Sequence, residues 1–220
     1  MNRHIIHTIK SSREILGINN KCLFLDRDGV IIKDKNYISS PLEVELEKGA
    51  KYLINLAKKN HYLVVIITNQ SGISRGYFNW NQYEEVTKEM IKQLGGEMMV
   101  DGIYANGIYP DASTKADSWR KPGIGMIIQA KNDFNIELKD SILIGDRLSD
   151  ILSGLRAGLG HVIHVETGHG HKERSKVEKY LVRETPNMIC FEEDGTKTNF
   201  TRLTSLEELD KEDINIFSST

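Results

Sequence analysis

The run Leu23 to Ile32, LFLDRDGVII, sets two carboxylates, Asp26 and Asp28, between two apolar stretches that read as buried. Three more segments bring reactive groups to the end of an apolar run or the start of a helical one. YLVVIIT runs into Thr68-Asn69-Gln70-Ser71-Gly72, SILI runs into Gly145-Asp146-Arg147-Leu148-Ser149-Asp150, and Arg120-Lys121-Pro122-Gly123 precedes an amphipathic stretch. Paired carboxylates can ligate a hard divalent cation, attack an electrophile or exchange protons. A hydroxyl, backbone N–H groups and an ammonium can hold an anion. Taken singly, each segment has an ordinary structural explanation. Asp-x-Asp-Gly forms Asx turns, Thr68 to Gly72 reads as a polar turn, a lysine before a first-turn proline is usually solvated, and Asp146 or Ser149 can cap the following helix. Those four explanations must hold independently, whereas a single site requires only that the segments share one edge of the fold.

The elements that would position them alternate along the chain. Lys21 to Leu25, Tyr62 to Thr68, Asp101 to Ala105, Ser141 to Ile144 and His161 to Glu166 are short, rich in aliphatic and β-branched residues, and bounded by Gly, Asp or Asn, which predicts five strands. Gly49 to Asn60, Asn79 to Leu94, Gly125 to Phe134 and Leu148 to Ala157 carry apolar residues at helical spacing and predict crossover helices. This order implies an α/β fold with a doubly wound, mainly parallel sheet. Ligands of such sheets bind beyond the carboxyl ends of the strands, near a topological switch point, and three of the four reactive segments directly follow a strand.

Composition narrows the class. At 220 residues, 39% hydrophobic and 27% charged, the chain has globular composition and a length suited to one domain. A formal net charge of -2 argues against a nucleic-acid-coating protein. LVVII is far short of the ~20 apolar residues of a membrane span, and the first residues lack a secretory pattern, so no membrane association is expected. Cys22 and Cys190 form no CxxC pair, which favours neither a disulfide framework nor a cysteine metal site, and a reducing cytoplasm is the expected compartment.

The motifs LFLDRDGVI, IITNQSG, RKP and LIGDRLSD, in this order from Cys22 to Gly168, resemble those of the haloacid dehalogenase superfamily of aspartate-nucleophile phosphohydrolases. FLDRDGVI, TNQSGISRGYF and RKPGIGM are most similar to its D-glycero-D-manno-heptose 1,7-bisphosphate phosphatase and histidinol-phosphate phosphatase group. The resemblance implies a Rossmann-like sheet with a minimal cap made of loops. It also implies Asp26 as nucleophile, Asp28 as general acid and base, and Thr68 and Lys121 as holders of the phosphoryl oxygens. Magnesium would be held by Asp26, Asp28 (through its backbone carbonyl) and Asp146, with Asp150 in support. Implied substrate contacts are Asp34, Tyr37, Asn69, Gln70, Ser71, Arg120 and Arg147; Arg147 stands where that group commonly has lysine.

The chain departs from the group between Ala105 and Lys121. There, YANGIYPDASTKADSWRKP has Asn106, Ile108, Asp117 and Trp119 at the positions of a Cys-x-His and Cys-x-Cys zinc set, so no structural zinc is expected. Packing of the loop is the expected role of Tyr109 and Trp119. Among His161, His164, His169 and His171 no metal site is expected, while His169 or His171 would lie nearest a substrate at the strand ends. Residues 1–20 read as an N-terminal extension, 21–190 as the phosphatase-like domain and 191–220 as a C-terminal extension packing on or near the core, with TSLEELDKEDI helix-like. The expected reaction is magnesium-dependent hydrolysis of a small phosphorylated metabolite, foremost a heptose bisphosphate or another precursor of lipopolysaccharide or capsule, by a monomer or small homo-oligomer. Histidinol-phosphate hydrolysis and a non-enzymatic phospho-acceptor domain are the alternatives.

Overall fold

A four-residue strand with no exposed side chain can exist only between two covered faces, and Cys22–Leu25 is such a strand. The computed structural model describes residues 19–109, 119–186, 188–209 and 216–217, with 4–8 and 210–211 as backbone only. Its elements are β1 (His4–Thr8), β2 (Cys22–Leu25), α1 (Ala50–Lys59), β3 (Leu63–Asn69), α2 (Trp80–Leu94), β4 (Gly102–Asn106), α3 (Gly125–Phe134), β5 (Ile142–Gly145), α4 (Leu148–Ala157), β6 (His161–Val165), α5 (Gly170–Glu178), β7 (Leu181–Thr185), β8 (Met188–Glu193), β9 (Thr196–Leu203) and the short α6 (Glu208–Lys211).

The sheet order is β1-β4-β3-β2-β5-β6-β9-β8-β7, parallel from β4 through β9 and antiparallel where β1, β7 and β8 join. Alternate residues of the central strands serve opposite faces. Leu23, Leu25, Val64 and Ile66 pack with Leu53 and Ile54 of α1 and Val86 and Met90 of α2. Phe24, Val65, Ile67 and Leu143 pack with Met126 and Ile127 of α3 and Ile151 and Leu155 of α4. The chain moves outward from β2 through β3 to β4, then returns to place β5 on the other side of β2. The switch point therefore lies between β2 and β5, whose ends deliver Asp26 and Asp146.

The sheet extends beyond the five expected strands. The N-terminal segment supplies β1 on the β4 edge, and β7 to β9 continue the sheet past β6, with the 190/191 division falling inside β8. Strands β7 to β9 are mixed in polarity and half-exposed, so they lack the apolar runs by which central strands are recognised. One signal was there to read. Asp194-Gly195 separates Glu193 from Thr196, and both residues have positive φ, 48° and 80°, as a two-residue hairpin turn requires. Leu206, Leu209, Ile216 and Phe217 return to the core cluster under α1, and of the helix-like TSLEELDKEDI only Glu208–Lys211 is helical among the described residues. No helix among the described residues is long and apolar enough to cross a membrane.

Candidate active site

Register brings the reactive groups together. Leu25 is paired with Ile66 on one side and Ile144 on the other, so β2 and β5 end within a residue of each other while β3 runs three residues further, to Asn69. Asp26 N–H donates to Ile144 O at 3.1 Å, holding the first residue past β2 against β5. Gly29 follows with φ +84°, and a Cβ there would stand 2.6 Å from Asp146 Oδ2. Glycine is thus required on two grounds, the backbone angle and the close approach of the two acidic loops.

Lys121 comes from the segment between β4 and α3, and its Nζ reaches the floor of the crevice. It lies 2.9 Å from Asp26 Oδ1 and 2.7 Å from Asp150 Oδ1, and donates to Ile67 O at 2.8 Å. All three charged side chains are buried. Burial alone would lower the Lys121 pKa, but Asp150 and Asp26 override it and raise the value, keeping the ammonium charged. Asn69 clamps the Lys121 peptide, its Oδ1 accepting from Lys121 N–H and its Nδ2 donating to Lys121 O, both at 3.1 Å. Pro122 does not occupy the first turn of α3 as its type suggested. That helix begins at Gly125, and Arg120 to Gly123 form a turn that aims Lys121 inward.

The three carboxylates that crowd together are Asp26, Asp146 and Asp150, with an oxygen of each within 4.8 Å of the others. Burial pushes Asp26 up to about 6, with the Lys121 charge opposing and Asp150 and Asp28 reinforcing. Burial, then Asp150 and Asp26, pushes Asp146 up to about 9. Asp146 Oδ2 accepts from His169 N–H at 2.7 Å, while its Oδ1 has no partner among the described residues. A buried, unpartnered carboxylate oxygen among like charges fits a hard, oxygen-ligated divalent cation, which would supply the missing positive charge. Asp150 also accepts from Arg147 N–H at 2.9 Å, so capping of α4 falls to Asp150 rather than to Asp146 or Ser149.

The Asp28 carboxylate is outside that group, committed to neighbours on the other side. Arg27 Nε and Nη2 donate to its two oxygens at 3.1 and 3.0 Å, and Gln70 Nε2 donates to Oδ2 at 2.8 Å. Gln70 Nε2 also donates to Thr68 Oγ1 at 2.8 Å and its Oε1 accepts from Arg27 at 3.1 Å. The side-chain amides of Asn69 and Gln70, expected at substrate, are therefore engaged in positioning Lys121, Asp28 and Thr68. Arg27 was not legible as part of the site. Lodged between two aspartates, it reads as a solvated charge, yet it is buried with its guanidinium 5.1 Å from the centre of the Tyr83 ring.

Asp26, Arg27, Asp28, Thr68, Asn69, Gln70 and Lys121 line one cavity of about 360 Å³, within the range of small-molecule sites, with Asp146 and Asp150 behind that lining. Asp34, Tyr37, Ser71, Arg120 and Arg147 line its outer part, together with Tyr109 and His169. Arg120 donates to Ile108 O at 2.9 Å, and Asp34 meets Arg147 at 3.5 Å and His169 Nε2 at 3.0 Å. His171 is exposed on α5. His161 and His164 lie behind the site, both lowered to about 4 by burial, and His164 Nε2 is 3.0 Å from Asp146 O. Tyr109 borders the cavity, and the Trp119 ring packs 6.2 Å from Tyr104; of the four replaced zinc positions, Asp117 lies outside the described residues, as do all of 110–118.

The polynucleotide kinase 3 phosphatase family matches residues 21–176. A D-glycero-beta-D-manno-heptose-1,7-bisphosphate 7-phosphatase of Helicobacter pylori is 42% identical over 142 residues, 63% of this chain and 79% of that protein. A D-glycero-alpha-D-manno-heptose-1,7-bisphosphate 7-phosphatase of Photorhabdus laumondii is 41% identical over 162 residues, 70% of this chain and 86% of that protein. The crystal structure of D,D-heptose 1,7-bisphosphate phosphatase from B. bronchiseptica, complexed with magnesium and phosphate, superposes with a TM-score of 0.63 at 27% identity, covering 87% of this chain and 99% of that one. With an aspartate pair past β2, a buried lysine beside it and an acidic loop past β5, the chain belongs to the haloacid dehalogenase superfamily of phosphatases and, within it, to the family of the heptose-1,7-bisphosphate 7-phosphatases.

Proposed function

We propose that this phosphatase hydrolyses a phosphomonoester of a heptose bisphosphate, or of a closely similar sugar bisphosphate destined for surface polysaccharide, through an aspartyl-phosphate. The observation that carries the reading is the Asp26 carboxylate, buried at the switch point with Lys121 Nζ 2.9 Å away, at the floor of a cavity whose outer part holds two guanidinium groups. Asp26 attacks phosphorus, and the bond from phosphorus to the leaving alkoxide breaks as Asp28 donates a proton to that oxygen. Asp28 then takes a proton from water as the water oxygen attacks the aspartyl-phosphate, releasing inorganic phosphate and restoring the Asp26 carboxylate. Lys121 and the Thr68 hydroxyl hold the equatorial phosphoryl oxygens, where charge stabilisation and positioning carry most of phosphoryl transfer. Asp26 and Asp146, with the main chain of Asp28, would hold magnesium, whose charge permits an anion to approach a phosphate.

Arg120 and Arg147 suit a second anionic group on the leaving side. Histidinol phosphate fits less well, because its leaving group carries an ammonium toward two guanidinium groups while Asp34 is already paired. Phosphate release with magnesium is to be measured for heptose 1,7-bisphosphate, heptose monophosphate, histidinol phosphate and acetyl phosphate. Highest kcat/KM on the bisphosphate is expected; a preference for histidinol phosphate would overturn the substrate reading.

A further inference from the structure

Three loops meet at the mouth of the cavity, and one cation joins them. Tyr37 comes from the loop after β2, Tyr77 from the loop after β3 and Tyr109 from the segment after β4. The three residues are 43%, 52% and 45% exposed. The guanidinium carbon of Arg75 lies 5.5, 4.8 and 4.8 Å from the centres of their rings, and its Nη1 donates to Tyr37 Oη at 2.6 Å. Tyr37 and Tyr77 also meet edge to face, 4.6 Å between centres. A single exposed tyrosine needs no explanation, but three from separate loops around one guanidinium form a built feature. The loop carrying Arg75 is seated firmly on Tyr37: a Cβ at Gly72 would stand 2.2 Å from Phe78 and 2.9 Å from the Tyr37 ring.

Tyr37 and Tyr109 face the cavity with Arg120 and Arg147, whereas Arg75 and Tyr77 are not among its lining residues. Any effect of Arg75 on substrate therefore passes through the rings. We infer that Arg75 is a positioning residue for leaving-group specificity: with Tyr77 packed against Tyr37 outside the cavity, it holds Tyr37 and Tyr109 as a wall against which the carbon skeleton of a sugar-sized leaving group seats. The phosphoryl group, held deeper by Thr68 and Lys121, does not sense that wall. Ring faces suit the C–H surfaces of a sugar, and their polar edges suit its hydroxyls. The inference rests on the sugar bisphosphate reading above.

Steady-state kinetics of wild type, Arg75→Met and Arg75→Lys with magnesium, on heptose 1,7-bisphosphate and on acetyl phosphate, test it. Acetyl phosphate has a leaving group too short to reach the wall. Arg75→Met is expected to raise KM for the bisphosphate about 5- to 20-fold with kcat within about twofold, and to leave acetyl phosphate kinetics within about twofold. Arg75→Lys, which keeps the charge but loses the planar face, should fall between. The thermal midpoint of both variants should stay within about 2 °C of wild type, since Arg75 is exposed. Equal losses on both substrates, or an unchanged KM for the bisphosphate, would overturn the role of Arg75. Should wild type hydrolyse acetyl phosphate but ignore the bisphosphate, the substrate reading fails instead, and the same variants are then compared on the best sugar phosphate, where an unchanged ratio to acetyl phosphate overturns the inference.

Discussion

At the scale of single residues, the site is a problem in electrostatics. Asp26, Asp146 and Asp150 crowd together at buried positions, with the Lys121 ammonium within ion-pair distance of Asp26 and Asp150. Replacing Asp26 with Asn keeps the size but removes the carboxylate charge that the proposed nucleophile needs. Phosphate release should fall by at least about 10³-fold, a loss seen when a nucleophile is removed. Wild-type turnover by the variant would end the nucleophile assignment. The raised pKa of Asp146 makes a second prediction. Between its ordinary 3.8 and about 9 the folded, cation-free protein retains a proton that the unfolded chain has lost, so stability falls as pH rises through that window. The buried histidines act in the opposite sense, adding stability from about 4 up to 6.5, and Asp26 contributes only up to about 6. The Asp146 effect is therefore cleanest from pH 7 to 9. Melting in chelator should drop across that range, and magnesium should restore more stability at pH 9 than at pH 7, because the cation requires ionised carboxylates. A melting temperature in chelator that rises from pH 7 to 9 would contradict the charge assignment.

At the scale of elements, the site depends on how closely two strand ends and their loops approach. Gly145 closes β5, and a Cβ there would stand 2.2 Å from Asp150 Cβ in the first turn of α4. Gly145→Ala must push α4 away from the sheet and draw Asp150 off Lys121. A destabilisation of about 1–3 kcal/mol is expected from overpacking, and phosphatase activity should fall by more than the change in folded fraction, read by melting and kinetics on one preparation. The central strands and their four crossover helices were legible within a residue or so, because buried parallel strands are continuous apolar runs and amphipathic helices have a clear period. Capping was less legible. Asp146, Ser149 and Asp150 all suit a helix start by type, and only packing decides that Asp150 takes that role while Asp146 remains with an unpartnered oxygen.

At the scale of the whole molecule, the segments outside the motifs complete the sheet and the core. β9 covers the β6 edge, and Phe217 packs edge to face on Tyr62, 4.8 Å between ring centres, in the cluster beneath α1. Phe217→Ala should cost about 3–5 kcal/mol, the usual loss for a buried phenylalanine. Denaturant titration measures it, and a cost under about 1 kcal/mol would mean that this terminal contact contributes little. Strands β7 to β9, within residues 181–203, were difficult to read because an outer strand with one wet face shows only weak alternation, as in TKTNFTRL.

The sequence by itself determined the order of the central elements, the arrival of acidic, hydroxyl and cationic groups at strand ends, and the motifs that carry the family. Those properties are local in the chain, written in runs, periods and spacings of a few residues. Only the tertiary structure decided that Arg27 is buried beneath Asp28 rather than solvated. It likewise decided that the Gln70 and Asn69 amides bond Asp28, Thr68 and Lys121 and that Arg75 stands among tyrosines of three loops. Each of these joins residues from separate segments, and the partner of a charge across a fold is fixed by packing, which no local pattern encodes.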